Sequence, residues 1–337
     1  MEKERACRNR GINKGKERKW CALCMKGNLE ESLGEDAKGM LCLYEASFLL
    51  REGESMLEEV GDFATKKLKD RYIKQNISED QNLSAMVRHA LELPLHWRMI
   101  RLETRWFIDV YRSREDMNPI LLELAELDFN MVQAVHQEDL KQLSRWWKRT
   151  GLGEKLSFAR DRLMENFLWT VGKAFEPQFG YCRRTLAKVN ALITVIDDVY
   201  DAYGTLDELQ LFTNAIERDF DHIIPYFRKA DELERGDVPK SLQCYMNEIG
   251  ASEEDALEYI RSLISATWKK MNGEKFVSHH PFSRTFIEIA MNIAMLSQCM
   301  YQHGDGHGVQ DGETKDRVLS LLIHPIPLYK EINGIKN

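Results

Sequence analysis

The 337 residues are 43% hydrophobic and carry 47 Lys plus Arg against 54 Asp plus Glu, a net charge of -7. That length and apolar content allow a globular chain of one large domain or two ordinary ones, and the acidic balance excludes a general nucleic-acid binder, whose footprint would be basic. No apolar run nears the ~20 residues that span a bilayer, so no transmembrane segment is expected.

Residues 1–26 are rich in Lys, Arg and Cys, yet they include Glu2, Glu4 and Glu17 and almost no serine, which fits an organelle transit peptide poorly. The seven cysteines (Cys7, Cys21, Cys24, Cys42, Cys182, Cys244 and Cys299) are odd in number and scattered, which predicts free thiols in a reducing compartment. Cys21 and Cys24 form one CxxC, but no second pair follows at zinc spacing.

From residue 39 onward apolar residues recur at helical spacing and strand signals are missing, so the predicted fold class is all-α. In MNPILLELAELDFNMVQAV, Asn118 is the expected N-cap and Pro119 the first helical residue, with Ile120, Leu124, Leu127 and Met131 as the buried stripe. A second helix is expected in QEDLKQLSRWWKRTGLG, where Leu140, Leu143 and Trp147 share a face and Gly151 ends it. Further helices are read in SFARDRLMENFLWTVGKAF, CRRTLAKVNALITVIDDVYDAY, TLDELQLFTNAIERDF, SEEDALEYIRSLISATWKKMN and FSRTFIEIAMNIAMLSQCMYQ. Between residues 220 and 240 the pattern becomes uneven, with prolines and charges around a short apolar run.

The chemistry concentrates where ITVIDDVYDAYG sets three apolar residues and Thr194 against Asp197, Asp198 and Asp201. On a helix, positions 197 and 201 lie one above the other and 198 points about 100° away, so Asp197 and Asp201 can flank one ion while Asp198 contributes from the side or shapes the site. Magnesium suits such hard oxygen ligands, which it shares with phosphate oxygens and water. A bare DDxxD is more often a solvated helix end, but ALITVI has nothing polar except Thr194, which predicts a helix buried on most sides and acids facing a cavity or an ion. Upstream, FARDRL offers Arg160 and Arg162, whose forks match phosphate geometry across such a cavity; taken alone, they would as readily pair with Asp161 and Glu165 at the surface. In NFLWTVG, Trp169 is either an ordinary core indole or a ring that stabilises a nearby cation by ~0.5 to 2 kcal/mol. Together these residues suggest expulsion of diphosphate and shelter for a carbocation.

The chain resembles the plant terpene synthases, more narrowly their angiosperm monoterpene branch, through DDVYDAYGTLDELQLFT, SRWWKRTGLGEKLSFARDRLMENFLWTVG, LPLHWRMIRLETRWFIDVY, FEPQFGYCRR and neighbouring stretches that cover most of it after residue 27. The resemblance implies a class I terpenoid synthase helical bundle in residues 113–337, preceded by the remnant of an N-terminal helical domain in 27–112, with 1–26 unmatched. It implies that Asp197, Asp198 and Asp201 bind Mg2+, with Mn2+ as an alternative ion. Arg160 and Arg162 then grip the diphosphate and Trp169 lines the cation cavity. Tyr301 and Asp305, in the YQHGDGHG stretch, belong to the loop that closes the site. The implied substrate is a prenyl diphosphate, geranyl diphosphate before longer ones, and the implied compartment is the plastid, with the cytoplasm open because no clear transit peptide is read; the oligomeric state is left open.

The sequence departs from the family in three places. The N-terminal arginine-pair tryptophan motif is absent. Of the second metal motif, (N/D)Dxx(S/T)xxxE, only Glu232 stands in place; Ile224 and Arg228 occupy the other two ligand positions. Several helices expected around residues 219–232 are replaced by DFDHIIPYFRKA. Besides a monoterpene synthase, the sequence therefore leaves open a sesquiterpene synthase and a non-catalytic helical relative. A chain-elongating prenyltransferase would need a second DDxxD, and the sequence has one.

Overall fold

Asp36 accepts a hydrogen bond from the Gly39 amide at 3.0 Å and so starts helix α1 (Ala37–Ser47). The structure, a computed structural model, describes residues 36–74, 81–199, 241–277, 279–302 and 312–328. Among the described residues every regular element is helical. The chain divides into two compact units, residues 1–96 with 268–278, and 97–267 with 279–337.

In the first unit, α1 packs with α2 (Ser55–Leu68) and α3 (Gln81–Glu92) around Met40, Leu41, Tyr44, Ala64, Leu68, Val87 and Ala90. Within this core the Tyr44 hydroxyl donates to the Ala90 carbonyl at 3.0 Å, as burial of a phenol requires.

The second unit begins with α4 (Ile100–Arg112) and the long α5 (Pro119–Thr150). Asn118 caps α5 by accepting from the amides of Ile120 (3.0 Å) and Leu121 (3.4 Å), Pro119 opens its first turn, and Gly151, at a φ of 65°, ends it in a left-handed conformation that only glycine adopts without cost. Where two helices were expected there is one of 32 residues. The intervening AVHQED holds neither glycine nor proline, so nothing interrupts the hydrogen-bond ladder.

The expected stripe on α5 faces the wrong way. Ile120 is 74% exposed and Met131 70%, with Leu124 and Leu127 exposed as well. The buried face is Leu122, Glu126, Phe129, Val132, Gln133, His136, Leu140 and Leu143. Both stripes have helical spacing; polar pairing chose between them. Fully buried Glu126 accepts from Arg112 Nη2 at 3.0 Å, and the Phe129 carbonyl accepts from Arg101 Nη2 at 3.1 Å, while the Arg101 guanidinium lies 4.5 Å from the Phe129 ring. A face carrying Glu and Gln is therefore satisfied inside, and the apolar one lies outside.

Beyond α5 come α6 (Leu163–Lys173), α7 (Gly180–Asp198), α8 (Ser241–Ile249), α9 (Glu253–Glu274), α10 (Arg284–Met300) and α11 (Gly312–Val318). α6 is the centre of the unit: Phe167, Leu168 and Val171 are fully buried. It meets α10 where a Cβ on Gly172 would stand 2.6 Å from Leu296, itself fully buried. Gly172→Ala should therefore cost about 1–3 kcal/mol of stability by overpacking, measured as a lowered urea midpoint at unchanged slope.

A buried ion pair fastens α7 to α5. Arg183, fully buried, donates to Asp139 Oδ2 from Nε (3.0 Å) and Nη2 (2.7 Å) and from Nη1 to the carbonyls of Ala174 (2.8 Å) and Glu176 (2.6 Å); Arg184 bonds the other Asp139 oxygen. One turn earlier on α5, His136 Nε2–H donates to the Phe175 carbonyl at 2.7 Å. Burial pushes the His136 imidazole down to about 4, and the nearby Arg183 and Arg101 push the same way, against the Phe175 hydrogen bond and Asp139. The unfolded chain, with an ordinary histidine near 6.5, binds this proton first. The stabilisation from neutral His136 is thus complete above pH 6.5 and is lost as pH falls from there towards 4. His136→Gln should flatten that limb of the stability–pH curve.

After α11 the chain makes a π turn, Leu319–Ile323, and an extended stretch whose carbonyls are met by side chains of α4 and α5. Arg105 donates to Ser320 and His324, Gln133 to Leu321, Gln137 to Leu322, and Asn130 both donates to and accepts from Ile326. Among the described residues no helix is long and apolar enough to cross a membrane, and Cys42, Cys182 and Cys299 form no disulfide with one another.

Candidate active site

The apolar lead-in to the acidic cluster is buried on one side only. Ala191, Thr194 and Val195 face inward, whereas Leu192 and Ile193 are exposed, which corrects the expectation of a helix enclosed on most sides. Thr194, the lone polar residue of that stretch, bonds the Asn190 carbonyl at 3.0 Å and accepts from buried Asn166 at 3.3 Å, fixing α7 against α6. Asn166 was not singled out in the sequence. Its only signal there is a polar residue inside the apolar ENFLWTVG run.

At the end of α7 the two described aspartates have different surroundings. The Asp198 side chain is 8% exposed and that of Asp197 56%, as the 100° step between neighbours on a helix dictates. Arg160, in the non-helical stretch before α6, donates its backbone N–H to Asp198 Oδ2 at 2.7 Å and its Nε–H to Oδ1 at 2.6 Å; Nη2 lies 3.5 Å from Asp197 Oδ2. The arginine thus sits directly on the acidic pair. Arg162 is the N-cap residue of α6, 10% exposed in its side chain and 3.9 Å from Glu165, and between the two arginines Asp161 accepts from the Leu163 amide at 3.3 Å.

Trp169 and Tyr301, 132 positions apart in sequence, come together as a tilted aromatic pair with centroids 5.9 Å apart at 60°. Trp169 Nε1 is buried with no hydrogen-bond partner among the described residues, and Lys173 Nζ, its pKa lowered by burial, lies 5.9 Å from the indole. Asp201, Glu232 and Asp305 lie outside the described residues. Among the described residues no cluster of three or more His, Cys, Asp or Glu forms a metal site. The donor chemistry nonetheless fits a hard divalent cation: Asp197 presents an exposed carboxylate beside a guanidinium, an arrangement in which ion and cation can share one polyanion.

The chain is similar to proteins of one family. Residues 24–91 match the family profile "Terpene synthase, N-terminal domain", residues 148–224 "Terpene synthase family, metal binding domain", and residues 226–270 "Terpene synthase family 2, C-terminal metal binding". The chain is similar to the chloroplastic myrcene synthase of Quercus ilex, at 48% identity over 423 aligned positions covering 91% of this chain and 70% of that protein. An alignment longer than the 337-residue chain means that the relative carries stretches with no counterpart here. Of solved structures, it is similar to isoprene synthase from grey poplar (Populus x canescens) in complex with three Mg2+ ions and dimethylallyl-S-thiolodiphosphate, at TM-score 0.76 and 36% identity over 89% of this chain and 79% of that one. It is also similar to limonene synthase with 2-fluorolinalyl diphosphate, at TM-score 0.78 and 35% identity over 88% and 76%.

Proposed function

Because the chain belongs to the terpene synthase family, on its angiosperm monoterpene branch, we propose that it ionises geranyl diphosphate and releases diphosphate and a monoterpene. The observation that carries this reading is Arg160 seated on Asp197 and Asp198 at the end of α7, in the same unit as the Trp169–Tyr301 pair. Asp197 and Asp201, with Glu232, would hold Mg2+, which when bound neutralises charge growing on the leaving diphosphate.

The chain's own residues do the rest. Arg160 and Arg162 bind the diphosphate by charge-assisted hydrogen bonds and orient the allylic C1–O bond. That bond breaks with its electron pair leaving on the diphosphate. The indole face of Trp169 stabilises the allylic cation, and Tyr301 with Asp305 helps to exclude water until the cation gives up a proton to the released diphosphate, or one water adds to it and gives up a proton in the same way. Residues 27–112 would be the remnant of an N-terminal domain and 113–337 the catalytic bundle. The helices missing around 219–232 are supported by the over-length alignment and by the change from one metal-binding profile to another between residues 224 and 226. The chloroplastic relative favours a plastid location.

A second reading rests on Ile224 and Arg228, which stand where the family has metal ligands: the chain would hold the diphosphate without breaking the C1–O bond. Incubation with geranyl diphosphate and Mg2+ decides between them. Monoterpene and diphosphate formation supports turnover; Mg2+-dependent binding of a thiolodiphosphate analogue with no product supports the second reading. A faster reaction with farnesyl diphosphate would overturn the assigned chain length, and absence of both binding and product would overturn the function.

A further inference from the structure

We propose that Lys173 is a specificity-determining residue: its ammonium, held beside the indole of Trp169, opposes positive charge in the far half of the bound chain and so resists cyclisation of the allylic cation. This rests on the function proposed above. Lys173 and Trp169 stand four residues apart on α6, which puts them on one face of the helix. Lys173 Nζ lies over the indole, 5.9 Å from its centroid. The same ring packs on Tyr301, the C-cap residue of α10, and the Lys173 carbonyl accepts from Asn292 Nδ2 of α10 at 2.9 Å. The end of α6 that carries the lysine is thus fixed to the helix that carries the tyrosine.

Among the described residues no carboxylate pairs with this ammonium. Burial lowers its pKa, with Cys182 acting the other way, so the charge has lost part of its water without an ion pair in exchange. An indole is one atom thick, and a cation on either of its faces feels that charge. Two unit charges about 6 to 8 Å apart, at an effective dielectric of about 20, repel by an amount worth roughly thirtyfold to a hundredfold in affinity.

The direction of α6 decides which part of the substrate meets the lysine. Arg162 is the N-cap and Lys173 the last residue, about 16 Å apart along the axis, with Trp169 between them. A chain whose diphosphate is held at the arginine end lies with its tail towards the lysine. Ring closure, once the C2–C3 bond has turned, draws the C6–C7 π electrons into a bond to C1 and leaves the positive charge on C7. Charge then moves towards Lys173, whereas loss of a proton from the allylic cation, or addition of water to it, keeps charge away.

Calorimetric titration of the full chain with Mg2+ and three diphosphates tests this: geranyl thiolodiphosphate, which carries no positive charge and does not ionise, and two amine analogues in which a protonated nitrogen replaces C3 or C7. Lys173→Met is expected to tighten binding of the C7 ammonium at least tenfold, to tighten that of the C3 ammonium by a smaller factor, and to change that of the thiolodiphosphate less than twofold. Lys173→Arg, which keeps the charge, should leave all three within threefold of the parent. Where monoterpene is formed, Lys173→Met should raise its cyclic share. A smaller gain for the C7 ammonium, or one shared by the neutral ligand, would make Lys173 a packing residue for Trp169 and overturn the role while the function stands. A gain at C3 that matches the one at C7, or an unchanged product ratio, would do the same. No Mg2+-dependent binding of the thiolodiphosphate by the unaltered chain would overturn the function and this role with it. Should Lys173→Met fail to fold, Lys173→Gln takes its place with the same expected outcomes.

Discussion

Asp139→Ala should lower the free energy of unfolding by about 3 to 5 kcal/mol, the largest stability loss expected of a single change among the described residues. The reason is what the substitution leaves behind. Arg183 is fully buried between α5 and α7, its Nε and Nη2 both on one oxygen of Asp139 while Arg184 takes the other. Removing the carboxylate strands a guanidinium that cannot lose its proton in a protein and cannot reach water from that position. The carbonyls of Ala174 and Glu176 still accept from Nη1, but they carry no charge. Urea unfolding followed by circular dichroism measures the loss. A cost below ~1 kcal/mol would show that the charge of Arg183 is met by something other than Asp139. The complementary removal, Arg183→Met, should cost less, since Asp139 keeps Arg184.

The largest functional effect is expected at Asp197. Asp197→Asn should reduce Mg2+-dependent diphosphate release at least ~100-fold, equivalent to about 2.7 kcal/mol of barrier, with no change in unfolding midpoint. The contrast with Asp139 is one of environment. Asp197 is 56% exposed and its arginine contact is 3.5 Å long, so little folding energy is invested in it. A midpoint that fell together with the rate would assign Asp197 to the scaffold. Equal rates for the variant and the parent, measured over a range of Mg2+, would remove it from the reaction.

The helical class and most helices can be read from spacing, and the boundaries with explicit signals are the reliable ones: Asn118, Pro119 and Gly151 bound α5 where the capping chemistry puts them. The facing of α5 could not be read that way. Ile120, Leu124, Leu127 and Met131 have the same period as the buried residues, and what separates the two faces is the pairing of Glu126 and Phe129 with Arg112 and Arg101, a tertiary fact. The same holds at the site. Spacing puts Asp197 and Asp198 on different sides of a helix, but no local rule tells which is covered. Nor does it reveal that Arg160 spends its backbone amide as well as its Nε on Asp198, or that Tyr301 closes on Trp169 from the end of α10. Nor is an apolar run necessarily an enclosed one: Leu192 and Ile193 of α7 are exposed.

The side chains that receive the 319–326 stretch carry a consequence for how the molecule is made. Their acceptors stand 185 to 219 positions later in the chain, and donors buried without acceptors are costly. During synthesis Arg105, Gln133 and Gln137 leave the ribosome long before the carbonyls they serve, so the α4–α5 pair must wait, hydrated, until the 319–326 stretch has been made. Closing contacts this remote is slow, which makes the docking of this later segment, rather than the first formed helices, the step that completes the α4–α5 contacts.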